Sequence, residues 1–243
     1  MHTLEAQGAL ARENDMKRID ATDPNTIRYK FRKKRFAKIE ATIREFLTAQ
    51  EDVKVLDIGG RRDYWEYLSA DLRPKVHITL VNFEYELENY DENVDGLQFE
   101  LCVGDGCDLP QFEDQSFDLV HSNSVIEHVG SMARMAQFAK ETRRLGRAYY
   151  VQTPYLWFPL EPHFGVPFFH WLPAPSRAQL VHKFNVGFSN KIENFEDALA
   201  EIDTINLVDK GLMKRLFPEA TLMRERFALM TKSLIMLKGP AET

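Results

Sequence analysis

The sequence predicts an α/β fold, a doubly wound and mostly parallel sheet of seven strands that ends in an antiparallel C-terminal pair. Three observations carry this expectation. Five short apolar runs separated by turns lie between residues 53 and 152, helical or mixed stretches separate several of them, and two further β-patterned runs follow at 221–227 and 232–237. Strands that alternate with helices pack as a parallel sheet, because each crossover lays a helix over one of its faces.

The elements follow in order. Residues 1–26 mix small, polar and charged side chains with weak periodicity and pass through Asp23-Pro24, which reads as a tail or a short extra helix. From Ile27 to Gln50 the pattern is helical, with Phe36, Ile39, Ile43, Phe46 and Leu47 on one stripe. Arg28, Lys30, Arg32, Lys33, Lys34, Arg35 and Lys38 crowd its first half. That run is either a solvated face or a contact surface, at 28–38, for an anionic partner or a membrane surface. The five buried-strand patterns are Val53–Ile58, Val76–Val81, Leu97–Val103, Phe117–Val120 and Arg147–Gln152. Tyr64–Leu72 and Ser131–Leu145 supply helical or mixed crossovers, whereas Glu84–Asp95 carries six acids and no base and reads as a loop or single turn.

Residues 153–175 hold six of the eleven prolines and two of the three tryptophans, so they form neither a regular helix nor a central strand. They open an aromatic and proline-rich insertion spanning 153–190 within one domain of residues 27–243. Ser176, Asn194 and Asp209 stand as N-caps of three short helices beyond it.

Composition narrows the function classes. A net charge of -6 and a pI near 5.7 argue against a surface built to hold DNA by counterion release. Two cysteines, Cys102 and Cys107, are too few for a disulfide scaffold or a four-thiolate zinc site. The first thirty residues contain no apolar signal core, and no window approaches a membrane span, so a soluble, cytoplasmic protein is expected. Oligomeric state is left open.

In open parallel sheets ligands bind beyond the carboxyl ends of the strands. The first strand here ends Leu56-Asp57-Ile58-Gly59-Gly60, without the G-x-G-x-x-G of a nicotinamide fold. Gly104-Asp105-Gly106-Cys107 follows the third run, and Phe117-Asp118-Leu119-Val120 leads through Ser122 and Asn123 to Glu127-His128. In this order and spacing the chain resembles the class I S-adenosylmethionine-dependent methyltransferases, in particular the type 11 branch. The resemblance implies a Rossmann-like methyltransferase fold and S-adenosyl-L-methionine as cofactor. It further implies that Asp57 helps hold the amino-acid end of the cofactor, that Gly59 and Gly60 make room for it, and that Asp105 accepts from the adenine amino group with Gly106 or Cys107 against the ring. Ser122 and Asn123 would face the cofactor from the fourth strand's end. Two departures stand out: Arg61, Arg62 and Asp63 follow the glycines, and Val81-Asn82-Phe83-Glu84 stands where the family usually closes its second strand on an acid. Either Asn82 or Glu84 takes the ribose hydroxyls.

Methyl transfer by in-line displacement needs alignment and, for a protonated acceptor, a base. His128, beside Glu127, is the first candidate, and Glu161 and His163 on the insertion are the second. Tyr155, Trp157 and Phe158 could wall the acceptor pocket. For each the alternative is plain packing or helix capping. Glu161, His163 and His170 are of metal-ligating types, but their spacing matches no ligand motif and no third imidazole is evident, so no metal is expected. His77, His121 and His182 read as packing or surface residues. The expected function is methyl transfer to a small-molecule acceptor such as a glycan, lipid or quinone-like intermediate. The alternative is a non-catalytic binding or scaffold protein, suggested by Arg61 and Asn82; an RNA methyltransferase using the basic helix is a third reading, opposed by the acid run at 84–95.

Overall fold

The computed structural model describes residues 25–84 and 95–240. The tail before residue 25 and the acid-rich run at 85–94 therefore lie outside the described residues. Seven strands form one sheet in the order β3-β2-β1-β4-β5-β7-β6. They are β1 (Val53–Ile58), β2 (Val76–Asn82), β3 (Gln98–Val103), β4 (Phe117–Asn123), β5 (Gly146–Pro154), β6 (Thr221–Phe227) and β7 (Met230–Lys238). β1 to β5 pair in parallel, while β7 runs antiparallel to both β5 and β6. The expected doubly wound sheet with an antiparallel C-terminal pair is what the chain adopts.

Strand alternation sorts the core into two layers. Leu56 and Ile58, Val120, Tyr149 and Val151 face one side, under helix α2 (Met132–Leu145) with its Met135 and Phe138. Val53 and Val55, Leu119, Ala148 and Tyr150 face the other, under helix α1 (Ile27–Phe46) with Phe36, Ile39, Ile43 and Phe46. The stripe read from the sequence is thus the buried face of α1. Thr26 caps that helix, its hydroxyl accepting from the Tyr29 N–H at 3.1 Å, and Ser131 caps α2 in the same way.

The crossover expected as helical or mixed at Tyr64–Leu72 is mixed: residues Arg62–Tyr67 make a 3-10 helix, whose tighter winding eclipses positions three apart and sets Tyr64 and Tyr67 at 6.1 Å between ring centroids. One local expectation is corrected. Ser176 is not a cap. Helix α3 (Ala174–Lys183) starts after Pro173, since Pro175 costs nothing in a first turn whose N–H groups have no intrahelical acceptor. Asn194 and Asp209 do cap helices α4 (Phe195–Asp203) and α5 (Lys210–Leu216).

Between β5 and α5 the chain builds a third, separate core of Phe164, Phe169, Ala178, Val181, Ala198, Ile202 and Ile205. The packed unit therefore continues past residue 190, through α4. No helix among the described residues is long and apolar enough to cross a membrane.

Candidate active site at the carboxyl ends of the strands

Asp57 shares its face of β1 with Val53 and Val55, so its side chain enters the layer beneath α1. It is fully buried, with Oδ1 2.6 Å from Nδ1 of His121 and Oδ2 accepting from Trp65 Nε1 at 2.8 Å. Strand register makes the first contact possible, since Asp57 lies opposite His121 across the β1–β4 pair. The carboxylate shapes the glycine turn from inside: a Cβ on Gly60 would come within 1.8 Å of Asp57 Oδ2. Gly59 has φ +67°, and a Cβ there would lie 2.5 Å from Val125 of the turn after β4. The turn after β1 can meet the turn after β4 only because Gly59 lacks a side chain.

At the end of β2, Asn82 donates its side-chain amide to the Gly60 carbonyl at 2.9 Å, clipping the glycine turn to the neighbouring strand, while Glu84 is exposed just beyond. The Arg61 side chain is 60% exposed, with Nε 3.1 Å from Asp63. After β3, both Asp105 oxygens accept from Arg134 Nη2, at 2.7 and 2.5 Å, and Oδ1 also accepts the Cys107 N–H at 3.0 Å. Burial acts to raise the Asp105 carboxyl, but Arg134 and the Cys107 N–H outweigh it and hold it below the usual carboxylate range. A cleft of about 400 Å³ opens here between Asp105, Cys107, Arg134 and Glu141, a volume within the range of small-molecule sites. Gly106 lies flush against Ile58 and Phe138, where a Cβ would meet Ile58 at 2.5 Å.

Ser122 and Asn123 hold the end of β4 in place. The Ser122 hydroxyl is buried on the Ile58 carbonyl at 3.2 Å, and Asn123 Oδ1 accepts from Arg35 at 2.9 Å. Arg35 also donates to Gln152 at 2.8 Å and lies 3.4 Å from Glu225, so α1 is latched onto the ends of β4 and β5. This corrects the reading of 28–38 as one outward basic face. Arg35 turns inward, Arg32 is half-buried with its guanidinium pKa lowered by desolvation, and Lys33, Lys34 and Lys38 remain exposed.

The candidates for chemistry converge beyond β4 and β5. Glu127 is fully buried; its Oε2 accepts from the Thr153 hydroxyl at 2.9 Å, and burial pushes its carboxyl up to about 7. His128, next to Glu127 in the chain, has Nδ1 3.2 Å from the Thr204 carbonyl. His163 has Nδ1 2.7 Å from Glu161 Oε1, and the other oxygen of the buried Glu161 accepts the Phe164 N–H. The rings of His128 and His163 meet edge to face at 4.8 Å. His170, grouped with Glu161 and His163 from the sequence, has Nε2 2.8 Å from the Leu156 carbonyl. The three aromatic candidates diverge: Tyr155 lies under Lys210 Nζ at 4.8 Å, Trp157 is exposed beside Trp171 at 6.0 Å, and Phe158 is buried toward Phe227 at 6.5 Å.

Thr153, Arg35 and Arg134 escaped sequence reasoning. Thr153 is legible only as the first residue of the insertion, Arg35 only as a member of the basic run at 28–38 and Arg134 only as part of the Ser131–Leu145 crossover, because their partners lie 26 to 117 residues away.

A family described as "Methyltransferase domain", the type 11 group, matches residues 56–148. No curated protein matches the chain in sequence. Among solved structures, the N-methyltransferase NodS from Bradyrhizobium japonicum WM9, in complex with S-adenosyl-L-homocysteine, is similar with a TM-score of 0.54 at 11% identity, covering 96% of this chain and 96% of that one. The PH0226 protein from Pyrococcus horikoshii OT3 is similar with a TM-score of 0.52 at 17% identity, covering 94% of this chain and 99% of that one. At these identities the likeness is one of fold, and the family match adds the domain. Residues 56–148 thus match a methyltransferase domain, and they lie within a seven-stranded sheet of the order β3-β2-β1-β4-β5-β7-β6.

Proposed function

We propose that the chain transfers a methyl group to a small molecule, of glycan, lipid or quinone-like type, whose reacting atom is held beyond the ends of β4 and β5. The observation that carries this reading is the convergence of Glu127, His128, Glu161 and His163, drawn from two separate segments, at the turn that also touches Gly59.

The residues at the strand ends fit S-adenosylmethionine. Gly59, Gly60 and Gly106 leave backbone where any Cβ would collide, and Glu84 and Asp105 are acids placed after β2 and β3. Glu84 is suited to the ribose hydroxyls while Asn82 fixes the turn, Asp105 with Gly106 and Cys107 to the adenine, and the exposed Arg61 to the amino-acid carboxylate. Asp57, Ser122 and Asn123 act by holding the turns in place. When bound, S-adenosylmethionine supplies a methyl group on a sulfonium, and the bonding pair stays with sulfur on transfer. The protein aligns the acceptor and eases loss of its proton. Glu161 fixes His163 in the tautomer whose Nδ1 carries hydrogen, so its Nε2 lone pair is directed away from Glu161. The reading places the reaction in the reducing cytoplasm, supported by two free cysteines. Exposed Lys33, Lys34 and Lys38, with exposed Trp157 and Phe168, support contact with an anionic membrane surface, which co-sedimentation with anionic vesicles would test.

A scaffold reading draws on the Asp105–Arg134 pair, because Arg134 already occupies both Asp105 oxygens. Calorimetric titration with S-adenosylmethionine and S-adenosylhomocysteine separates the two. Micromolar binding that weakens in Glu84→Ala supports the enzyme; absence of binding to either ligand overturns it.

A further inference from the structure

Glu127, His128 and His163 each present one ligand atom, and these atoms lie within 4.8 Å of one another. We propose that they form a site for a divalent transition-metal ion of the zinc class, with one coordination position left open for an oxygen of the acceptor. Both imidazoles are preset for this. The Thr204 carbonyl has only lone pairs, so His128 Nδ1 must carry the hydrogen in that contact, and Glu161 imposes the same tautomer on His163. In each ring Nε2 is then the lone-pair nitrogen. A histidine whose second nitrogen is tied to a carboxylate or carbonyl is the recurrent arrangement around protein-bound zinc.

The third ligand provides an independent observation. Glu127 is fully buried, Thr153 satisfies its Oε2, and Oε1 has no hydrogen-bond partner among the described residues. A buried carboxylate oxygen without a donor is costly, and a cation is a partner that would offset the cost. Two imidazoles with one carboxylate match the donor set of three-ligand zinc sites that keep a fourth position open, whereas magnesium and calcium favour oxygen donors throughout. Burial falls from Glu127 to His163 to His128, so the open position lies on the exposed side.

What the ion does rests on the methyl-transfer reading. An acceptor hydroxyl bound to it is acidified, so its proton passes to water while its oxygen bonds the methyl carbon. The carbon–sulfur bond breaks with its electron pair retained by sulfur, and no oxidant is needed. His163 is then a ligand rather than a proton carrier, and the acceptor class is an oxygen nucleophile.

The test is titration of the full chain, stripped with chelator, with Co2+ followed by its visible absorption. One equivalent should saturate the signal and Zn2+ should displace it. Glu127→Gln and His163→Asn should each weaken binding at least tenfold, while His77→Asn, at the opposite end of the sheet, leaves it unchanged. Thermal melts by circular dichroism check that the variants fold, and His128→Asn, the most exposed ligand, gives the same readout if a buried substitution does not. Absorption that fails to saturate at one equivalent, or binding that all three ligand variants retain, overturns the site. Cobalt binding is read without cofactor or acceptor, so this result and the outcome of the S-adenosylmethionine titration are independent.

Discussion

Asp57 with His121 and Glu161 with His163 are the same chemical pair in two settings. In each a buried carboxylate oxygen lies close to imidazole Nδ1, at 2.6 Å in the first and 2.7 Å in the second. The His121 ring is enclosed, stacked between Tyr64 at 5.1 Å and Tyr150 at 5.6 Å, and its Nε2 is buried without a hydrogen-bond partner among the described residues. The His163 side chain is 20% exposed against 1% for His121, and its far edge meets His128 and Glu127. A carboxylate–imidazole pair is therefore no sign of catalysis by itself. What separates the two is whether the nitrogen opposite the carboxylate faces a place where a ligand can sit.

The largest expected effect breaks the enclosed pair. Asp57→Ala leaves the Trp65 and His121 donors buried without their acceptor, and removing one partner of such a buried pair costs about 3–5 kcal/mol. Urea denaturation should show this as a large fall in the midpoint, with cofactor affinity lost only as a consequence of unfolding. An Asp57→Ala protein of unaltered stability would mean that the carboxylate acts on the ligand directly, and that the enclosed pair is not the structural one. Next comes the open pair. His163→Asn should lower kcat by about a hundredfold or more, the range for loss of an acid–base or ligand group, and shift stability by less than about 1 kcal/mol. The matched change His121→Asn should do the reverse. Production of S-adenosylhomocysteine with an acceptor found by screening, set beside urea melts of both variants, checks the crossing.

A smaller effect tests how the two settings communicate. Gly59→Ala places a side chain at φ +67° and 2.5 Å from Val125 Cγ2, so strain and collision act together. A loss of about 1–3 kcal/mol in stability is expected, with S-adenosylmethionine affinity reduced about tenfold in calorimetry. Adding Val125→Ala removes the collision and leaves the backbone strain. Partial recovery is the predicted result, and full recovery would show that the glycine serves packing alone.

The contrast also explains how far the sequence could be read. Alternating runs, the Asn194 and Asp209 caps and the buried stripe of α1 were legible, because each depends on residues within a turn or a strand of one another. In the folded strand, period-two alternation puts Asp57 on one face with Val53 and Val55. Its partner could not be read, since the Asp57–His121 contact depends on the register between strands 64 residues apart in sequence. The same limit hid the Arg35 latch to Asn123 and Gln152 and the approach of His163 to Glu127. From sequence, Glu161, His163 and His170 were grouped by proximity, yet the fold turns His170 onto Leu156 and supplies His128 as the second imidazole. Local chemistry sets elements, and only the packed sheet decides which polar groups end enclosed and which end open.

Two thiols repeat the contrast on the smallest scale. Cys107 is buried against α2, its Sγ 3.4 Å from the Arg134 carbonyl, whereas Cys102 is half-buried on the edge strand β3. Burial pushes the Cys107 thiol up to about 11, with the Arg134 charge working against it. Because the thiolate is the nucleophile, Cys107 in the native protein should react with iodoacetamide at pH 8 at least about ten times more slowly than Cys102, and both should react alike after denaturation. The sign of the linked stability follows. Between the ordinary thiol range and about pH 11 the unfolded chain has lost a proton that the native chain retains, so stability falls as pH rises through that window. Mass spectrometry of alkylated peptides at a series of pH values checks the order of reaction. Equal native rates at pH 8 would mean that the Asp105–Cys107 turn opens readily, and the glycine-framed cleft beside it would then be as accessible as the His163 edge.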